Sequence, residues 1–565
     1  MKKIKNILFL IFLIPFINPL SIIGNDELVQ ILKEELDRES NLLAEQQPFP
    51  YFIEYRVTDM QAYSLRASFG SLVGDNDSRN RLLTVTVRVG DYSFDNTHSI
   101  QGLYGMSEQL DVLGSSLPLE NDAASIKQIL WRLTDQAYKN AVSRYVSLMN
   151  RKDEKDKKQV ADFTKEIPNK YSEPAFDNTE IEFNKEEWIS RLKEITNFFN
   201  SDSLIFHSDA SLTVITQRNY LVNTEGTTIA ENSKYCQLQF MGSIRHETGM
   251  ILPVHKTYAA FKIIDLPKQP LILEDIQKLK QQLVAMSSAP LAEPYSGPAI
   301  LSSGAAGVFF HEIFGHRVEG HRLESVDDGQ TFKDKLQSVV LPVDFQVYSD
   351  PSIRNWNGQD LIGAYKYDDQ GVAGQKVILV KDGVLKSFLM SRKPGKEINK
   401  SNGHGRAQPG FAAVSRQSNL FIESSRPYTE EALRKMLIKE CKKQKKIYGY
   451  YFKEVMGGLT ITDRYNTNVF NINPIEVYRV YTDGRPDELV TGVELIGTPL
   501  TMFSNILAAG SEHKVFTGFC GAESGMVPVT TIAPSILVRK IETQKTPEYK
   551  SQLPFLPSPK QSYNP

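Results

Sequence analysis

The chain is short of cysteine, of surplus charge and of long apolar runs, and each shortage narrows what it can be. Three cysteines, Cys236, Cys441 and Cys520, occur in 565 residues. That is too few for a disulfide framework, and the odd number leaves at least one thiol over or bound to something else. Lys and Arg number 65 against 67 Asp and Glu, for a net charge of −2. The basic surplus that nucleic acid demands is absent, which excludes nucleic-acid binding as a leading role. Beyond the N-terminus, no apolar run approaches the roughly 20 residues of a membrane span. What is present is ordinary for a folded protein, with 41% apolar and 23% charged residues. The length suits two or three domains, since one core rarely grows past about 250–300 residues.

The first residues depart from this average. Lys2, Lys3 and Lys5 precede an almost wholly apolar stretch, 7–17, and then Asn18, Ser21 and Gly24. That order is the charged, apolar and cleavage regions of a bacterial-type secretory signal peptide over 1–24, and it implies export to the periplasm or beyond. The apolar part is shorter than the roughly 20 residues of an uncleaved anchor, so no stable membrane span is expected after cleavage. No cysteine lies nearby to carry a lipid.

Further along, the apolar spacing switches between periods. Leu28, Leu32, Leu36 and Leu42 or Leu43 recur at helical spacing across 25–46, with Asn25 or Asp26 as the cap. The pattern then reads as strands over 51–57, 62–69, 82–89 and 100–104, an antiparallel meander. Residues 123–150 return to helical period and run into a very charged stretch, 151–165, expected to be solvated. Residues 187–200 and 274–286 read as helices. Residues 204–261 read as strands with turn signals at Asn223–Gly226 and Gly249. Residues 289–298, rich in proline and small side chains, are the expected joint between two halves. The expected class is α+β. An N-terminal α+β domain covers 25–290, with a charged insertion at about 151–177. A C-terminal domain covers 291–545, and a Pro- and Ser-rich tail, 546–565, is expected to be disordered.

The strongest chemical signal is His311-Glu312-Ile313-Phe314-Gly315-His316, one residue longer than the H-E-x-x-H of common zinc peptidases. Small residues from Ser302 to Ala306 precede it, with Ser302 or Ser303 as a cap. In a regular helix, positions i and i+4 lie about 40° apart around the axis, and i and i+5 about 140°. Both imidazoles therefore reach one ion only if the helix widens into a π-type turn or ends at Gly315. A catalytic zinc takes three protein ligands and keeps a fourth position for water. Pattern alone leaves two candidates for the third: His321, which extends the motif, and Cys520 in the glycine-rich Thr517–Gly525 segment. Glu312 is the candidate general base. Arg406, in Gly403-His404-Gly405-Arg406, suits a peptide carboxylate or an oxyanion, with His404 beside it, and competes with a plain structural turn. Asp368 and Asp369 before Gly371 read as turn formers. Cys236 and Cys441 read as ordinary residues, Cys441 in a Lys-rich run expected to be a solvated face.

Taken in order, these motifs resemble the TldD/PmbA family of metallopeptidases, in its TldD-like branch that keeps the metal motif. Asn223-Thr224-Glu225-Gly226, Tyr295-Ser296-Gly297-Pro298, Asp368-Asp369-Gln370-Gly371 with the Leu379–Leu385 segment, Gly403–Arg406, Ser418-Asn419-Leu420, Gly457-Gly458, Gly492–Gly497 and Cys520-Gly521 through Val529 are all similar to family segments. They keep the family's order from about 51 to 542. The resemblance implies a two-domain fold of mixed and antiparallel sheets with packed helices. It implies a zinc ion (Zn2+) on His311, His316 and Cys520, with Glu312 as the catalytic glutamate. His321 then drops out as a ligand and joins His404 and Arg406 as a candidate substrate contact. The resemblance further implies a metallopeptidase that hydrolyses short or unfolded peptides, in a homodimer or a heterodimer with a family relative. Two other readings stand beside it: a catalytically silent peptide-binding or partner subunit, and a hydrolase with Cys520 as nucleophile and a histidine base. The export signal and the extra sequence near 151–177 depart from the usual family pattern.

Overall fold

Helical spacing at the N-terminus becomes α1 (Glu27–Leu43), capped by Asp26, whose carboxylate accepts from the Val29 amide. The structure, a computed structural model, describes residues 26–98, 112–150, 160–176, 183–246, 248–325, 328, 332–462, 470–497 and 499–546. The signal-type segment, the strand expected at 100–104 and nearly all of the tail lie outside the described residues.

Next come β1 (Pro50–Ser68) and β2 (Ser71–Asp91), a hairpin that turns on Phe69 and Gly70, both with positive φ. That twist matches the strands it joins. The sequence pattern splits β1 at 58–61, where three of the four residues are polar. In the fold the strand is unbroken, because those residues pair on both edges: Thr58 faces Leu82 on one side and Asn219 on the other. The half is completed by β3 (Phe94–Asp95), β4 (Val112–Ser116), α2 (Ala123–Met149), β5 (Lys170–Ser172) and α3 (Lys185–Asn197), then β6 (Ile205–Asn223), β7 (Thr228–Arg245), β8 (Ile251–Ala260) and α4 (Gln269–Ser287). The strands form one sheet in the order β3-β2-β1-β6-β7-β5, with β4 also on β2 and β8 on β7.

The pleat sorts this sheet into two unlike faces. Ile53, Tyr55 and Val57 of β1 pack with Leu32 of α1 and Leu130 of α2. Leu212, Leu238 and Phe240 pack with Leu192 of α3 and Ile276 of α4. The alternate positions, among them Gln237, Gln239 and Met241 of β7 and His255 and Thr257 of β8, point the other way and line cavities against the rest of the chain.

The charged stretch 151–165 ends differently from its expected solvated character. Residues 151–159 lie outside the described residues, but Asp162, Phe163 and Thr164 are buried. Phe163 meets Phe52 edge-on and takes the Arg392 guanidinium on its face, while the Thr164 carbonyl accepts from that same arginine. One aromatic anchor pulls the end of a charged run into the seam.

In the second half, the expected joint 289–298 is tied down: the Ala292 amide bonds the Thr491 carbonyl, and Tyr295 already belongs to β9 (Tyr295–Leu301). After β9 come α5 (Ser303–Ile313), β10 (Phe345–Ser349), β11 (Asn355–Trp356), β12 (Gln359–Asp360), β13 (Val377–Lys381), β14 (Val384–Leu385), β15 (Gly405–Arg406), β16 (Val414–Ser415) and β17 (Asn419–Ser424). Then follow α6 (Glu430–Lys443), β18 (Tyr448–Thr460), β19 (Phe470–Tyr481), β20 (Glu488–Val490), β21 (Val493–Gly497), α7 (Pro499–Ser504), β22 (Ile506–Ala522) and β23 (Gly525–Lys545). The main sheet runs β14-β13-β10-β17-β23-β21-β19-β18-β9, with β20 on β19 and β22 on β23.

α5 sits against β18, β22 and β23. Ala305, Ala306, Val308, Phe309, Phe310 and Ile313 leave no side of it hydrophilic, which is the mark of a buried helix. Its titratable side chains, His311 and Glu312, lie at its C-terminal end. On the opposite face of the sheet, α6 packs Leu433, Leu437 and Cys441 against Ile300 and Leu537. The Lys-rich run is thus solvated on one side only, and Cys441 is turned into the core. The protein is α+β throughout.

Candidate metal centre

The H-E-x-x-x-H segment solves its geometric problem by stopping the helix. Ser302 caps α5, its hydroxyl accepting from the Ala305 amide at 3.3 Å. The last α-helical residue is Ile313, Phe314 sits at φ −111° and ψ −53°, and a 3-10 turn covers Gly315–Val318. No π-type turn forms. His311 therefore leaves the last α turn and His316 the 3-10 turn that follows, which brings their ring centroids to 5.0 Å at 80°. Gly315 is required there: a Cβ on it would lie 1.9 Å from Gln417 Oε1. Gln417 Nε2 in turn donates to the His311 carbonyl at 3.3 Å.

Cys520 arrives from the far end of the chain, near the tip of the β22–β23 hairpin, where it pairs with Val527. Its sulfur lies 3.4 Å from His316 Nε2. One ligand atom each from His311, His316 and Cys520 falls within 4.8 Å of the others, and all three residues are buried. His311 Nδ1 is buried without a hydrogen-bond partner. Burial pushes the Cys520 thiol up, but His316 and His311 outweigh it and hold the thiol well below its ordinary 9.0. Burial likewise disfavours the His316 cation, yet Cys520 and Glu319 raise it well above 6.5. That direction favours the thiolate, the form that binds metals. Two imidazoles and a thiolate, in reach of one point and dry, fit a zinc ion.

Glu312 completes the group. Its Oε2 is 3.9 Å from His316 Nε2. Gly458 of β18 makes room for it, since a Cβ there would lie 2.5 Å from Glu312 Cγ. These residues open on a cavity of about 640 Å3 whose other wall is the polar face of the N-terminal sheet.

The remaining expected site residues fall elsewhere. His321 is not in the cluster; its Nε2 is paired with Glu523 Oε1 at 2.7 Å. His404 and Arg406 do not line this cavity; Arg406 lines a separate one with Arg56, Tyr365 and Asp369. His404 is fully buried, bonded to Asn402 and Ser349, and burial pushes it down to about 3, so it is a neutral packing group. Arg406 donates to the carbonyls of Gln417 at 2.6 Å and Pro528 at 2.8 Å, which makes it a brace between two segments. Asp368 forms the expected turn, accepting from the Gln370 and Val372 amides with Gly371 at φ 76°.

Sequence reasoning missed the charges behind the ligands. Glu319, wholly buried, accepts from His316 Nδ1 at 3.1 Å and pairs with Arg322 and Arg416. Burial raises its carboxyl, but His316 and Arg322 pull it down to about 2. In sequence such residues look like any surface charge; the only available signal was the closeness of Glu319 and Arg322 to His316, and Arg416 had none.

Residues 294–545 match the family model described as the PmbA/TldA metallopeptidase C-terminal domain. A metalloprotease of Archaeoglobus fulgidus is 31% identical over 241 residues, 42% of this chain and 51% of that protein. The match thus spans about half the length of that relative. A metalloprotease of Methanocaldococcus jannaschii is 26% identical over 353 residues, 62% of this chain and 72% of that protein. A zinc metalloprotease TldD homolog of Saccharolobus solfataricus is 25% identical over 377 residues, 64% and 77% of the two chains. Among solved structures, TldE from Thermococcus kodakarensis superposes with a TM-score of 0.60 at 12% identity, over 91% of this chain and 100% of that one. A Thermotoga maritima protein described as a candidate modulator of DNA gyrase gives 0.61 at 16%, with the same coverages. At such identities these two structures speak to the fold alone.

Proposed function

This chain is a member of the TldD/PmbA family, and from that premise we propose that it is a zinc-dependent peptidase acting on short or unfolded peptides. The observation that carries the proposal is the buried convergence of His311, His316 and Cys520, with Glu312 at its edge. Those three residues would hold the ion. A zinc ion bound there supplies a Lewis acid that polarises a carbonyl and lowers the pKa of water toward about 7. Glu312 takes a proton from the attacking water and passes it to the leaving amine as the C–N bond breaks. The cavity offers the peptide a polar wall, the N-terminal sheet contributing Gln237, Gln239, His255 and Thr257. Export by the N-terminal segment and assembly as a homodimer, or with a metal-free relative, belong to the same proposal.

A second reading has one observation in its favour. Cys520 Sγ and His316 Nε2, at 3.4 Å, have the contact of a thiolate–imidazolium nucleophile pair. The zinc reading is preferred because it also uses His311 and Glu312, which a cysteine nucleophile leaves idle.

The test is peptide hydrolysis by the purified mature protein before and after a chelator, with zinc returned. Loss and recovery of activity supports the metal reading; activity indifferent to chelation favours the cysteine reading. Glu312→Gln that binds zinc and hydrolyses as fast as wild type would remove Glu312 from the chemistry. A wild type that binds zinc and cleaves no peptide would favour a silent partner subunit.

A further inference from the structure

We propose that Glu319 is a positioning residue that sets both arms of the centre at once, so that changing it weakens metal binding without touching a ligand. The inference rests on the metal reading above. One carboxylate oxygen, Oε2, accepts from His316 Nδ1 at 3.1 Å. With Nδ1 so occupied, Nε2 is the nitrogen turned to Cys520. The other oxygen, Oε1, lies 3.7 Å from Arg416 Nε, an ion pair between two side chains that are both fully excluded from solvent. Arg416 donates through Nη2 to the Cys520 carbonyl at 2.5 Å, and through Nη1 to Ser524 Oγ at 2.7 Å and the Gly525 carbonyl at 2.9 Å. It thereby clamps the hairpin tip that carries the thiolate.

Arg322 braces the same assembly from the other side. Its Nη1 contacts Glu319 Oε2 and donates to the His316 carbonyl at 2.9 Å. Its Nη2 bonds both oxygens of Glu523, on the cysteine hairpin, at 2.9 and 2.7 Å. His316 and Cys520 are 204 positions apart in the chain, and this one carboxylate links the groups that hold each. A carboxylate on the second nitrogen of a ligating histidine fixes its tautomer and ring orientation, and mutation of such a partner typically costs about 10–100-fold in metal affinity. Here the same group also secures, through arginine, the backbone of a second ligand. Burial of a carboxylate among two guanidiniums is costly unless each charge is matched, which makes the arrangement a device for placement.

The test is zinc affinity, measured by competition with a chromogenic chelator on wild type, Glu319→Gln and Glu319→Asp, with the thermal midpoint of each protein checked. Glu319→Gln is expected to bind zinc about 10–100-fold more weakly. Glu319→Asp keeps the charge for both arginines but draws it back from His316, and an intermediate loss is expected. A measurement free of any variant is the long-range proton–nitrogen NMR spectrum of the zinc-loaded wild type, in which His316 should keep its proton on Nδ1. If Glu319→Gln does not fold, Glu319→Asp and this spectrum decide. Wild-type zinc affinity in both folded variants, or a His316 that ligates through Nδ1, would overturn the inference and leave the peptidase proposal standing. A wild type that takes up no zinc overturns both.

Discussion

Leu32 and Leu130, between the N-terminal sheet and its helices, are 0% exposed, as are Tyr55 and Val85 beside them. Behind the last turn of α5, Glu319 and Arg416 are equally dry, at 0% each, and carry formal charge. The first layer is held by hydrocarbon: a fully buried Leu or Val contributes about 1.5–3 kcal/mol relative to exposure. The second gains little net stability from its charges, because their desolvation offsets their attraction. The difference teaches that burial serves two ends in this chain. In the first region it makes the fold; in the second it keeps a small set of polar atoms at fixed separations. Changes in the two regions should therefore have effects of different kinds.

The largest expected effect is on chemistry alone. Glu312→Gln should lower the turnover of an unfolded peptide by about 10²–10⁴-fold, the range for loss of a general base, with zinc content and thermal midpoint unchanged. If the protein lost its metal or melted instead, the division of roles between the regions would be wrong. The mirror experiment is Leu130→Ala in the hydrocarbon layer. It should cost about 2–5 kcal/mol of stability by denaturant titration and leave zinc affinity as it was. Gly458→Ala probes the border. Its new methyl would lie 2.5 Å from Glu312 Cγ. The strain should cost about 1–3 kcal/mol and should show in kcat before it shows in zinc affinity.

The smallest effect is a pH dependence at the seam between the halves. Burial raises the Glu231 carboxyl from 4.5 to about 7, although the Lys366 amide bonds it. A carboxyl raised on folding favours the folded state while protonated, so its contribution is full below its unfolded value of 4.5 and is lost as pH rises toward 7. Wild type should therefore lose some stability across that window, and Glu231→Gln should flatten the slope of denaturation midpoint against pH. An unchanged slope would mean that this carboxyl titrates normally.

The two regions also differ in how far they could be read in advance. α1 and α2 were visible because apolar residues at helical spacing are a local signal, as is the cap candidate before α1. β1 was seen but cut in two, since Thr58, Asp59 and Gln61 look like a loop until both neighbouring strands are known. His311, Glu312 and His316 were visible as a local motif, and the need for the helix to deform or end at Gly315 followed from its spacing. Where it ends, Gln417 arrives from elsewhere in the chain to bond the His311 carbonyl and to fill the space beside Gly315. Cys520 was not separable from His321 by pattern and came from family resemblance alone. Glu319, Arg322 and Arg416 escaped notice because a buried charge and a surface charge are the same letter. The same blindness placed Cys441 and Asp162 on solvated faces, whereas Cys441 packs with Leu433 and Leu437 and Asp162 pairs with buried His98.

The most direct test of the centre itself is zinc X-ray absorption on the purified mature protein. Two nitrogen ligands at about 2.0–2.1 Å and one sulfur at about 2.3 Å are expected, with the sulfur lost in Cys520→Ser and the full set kept in His321→Ala. A zinc bound with no sulfur in wild type, or one whose spectrum changes in His321→Ala and not in Cys520→Ser, would contradict the assignment.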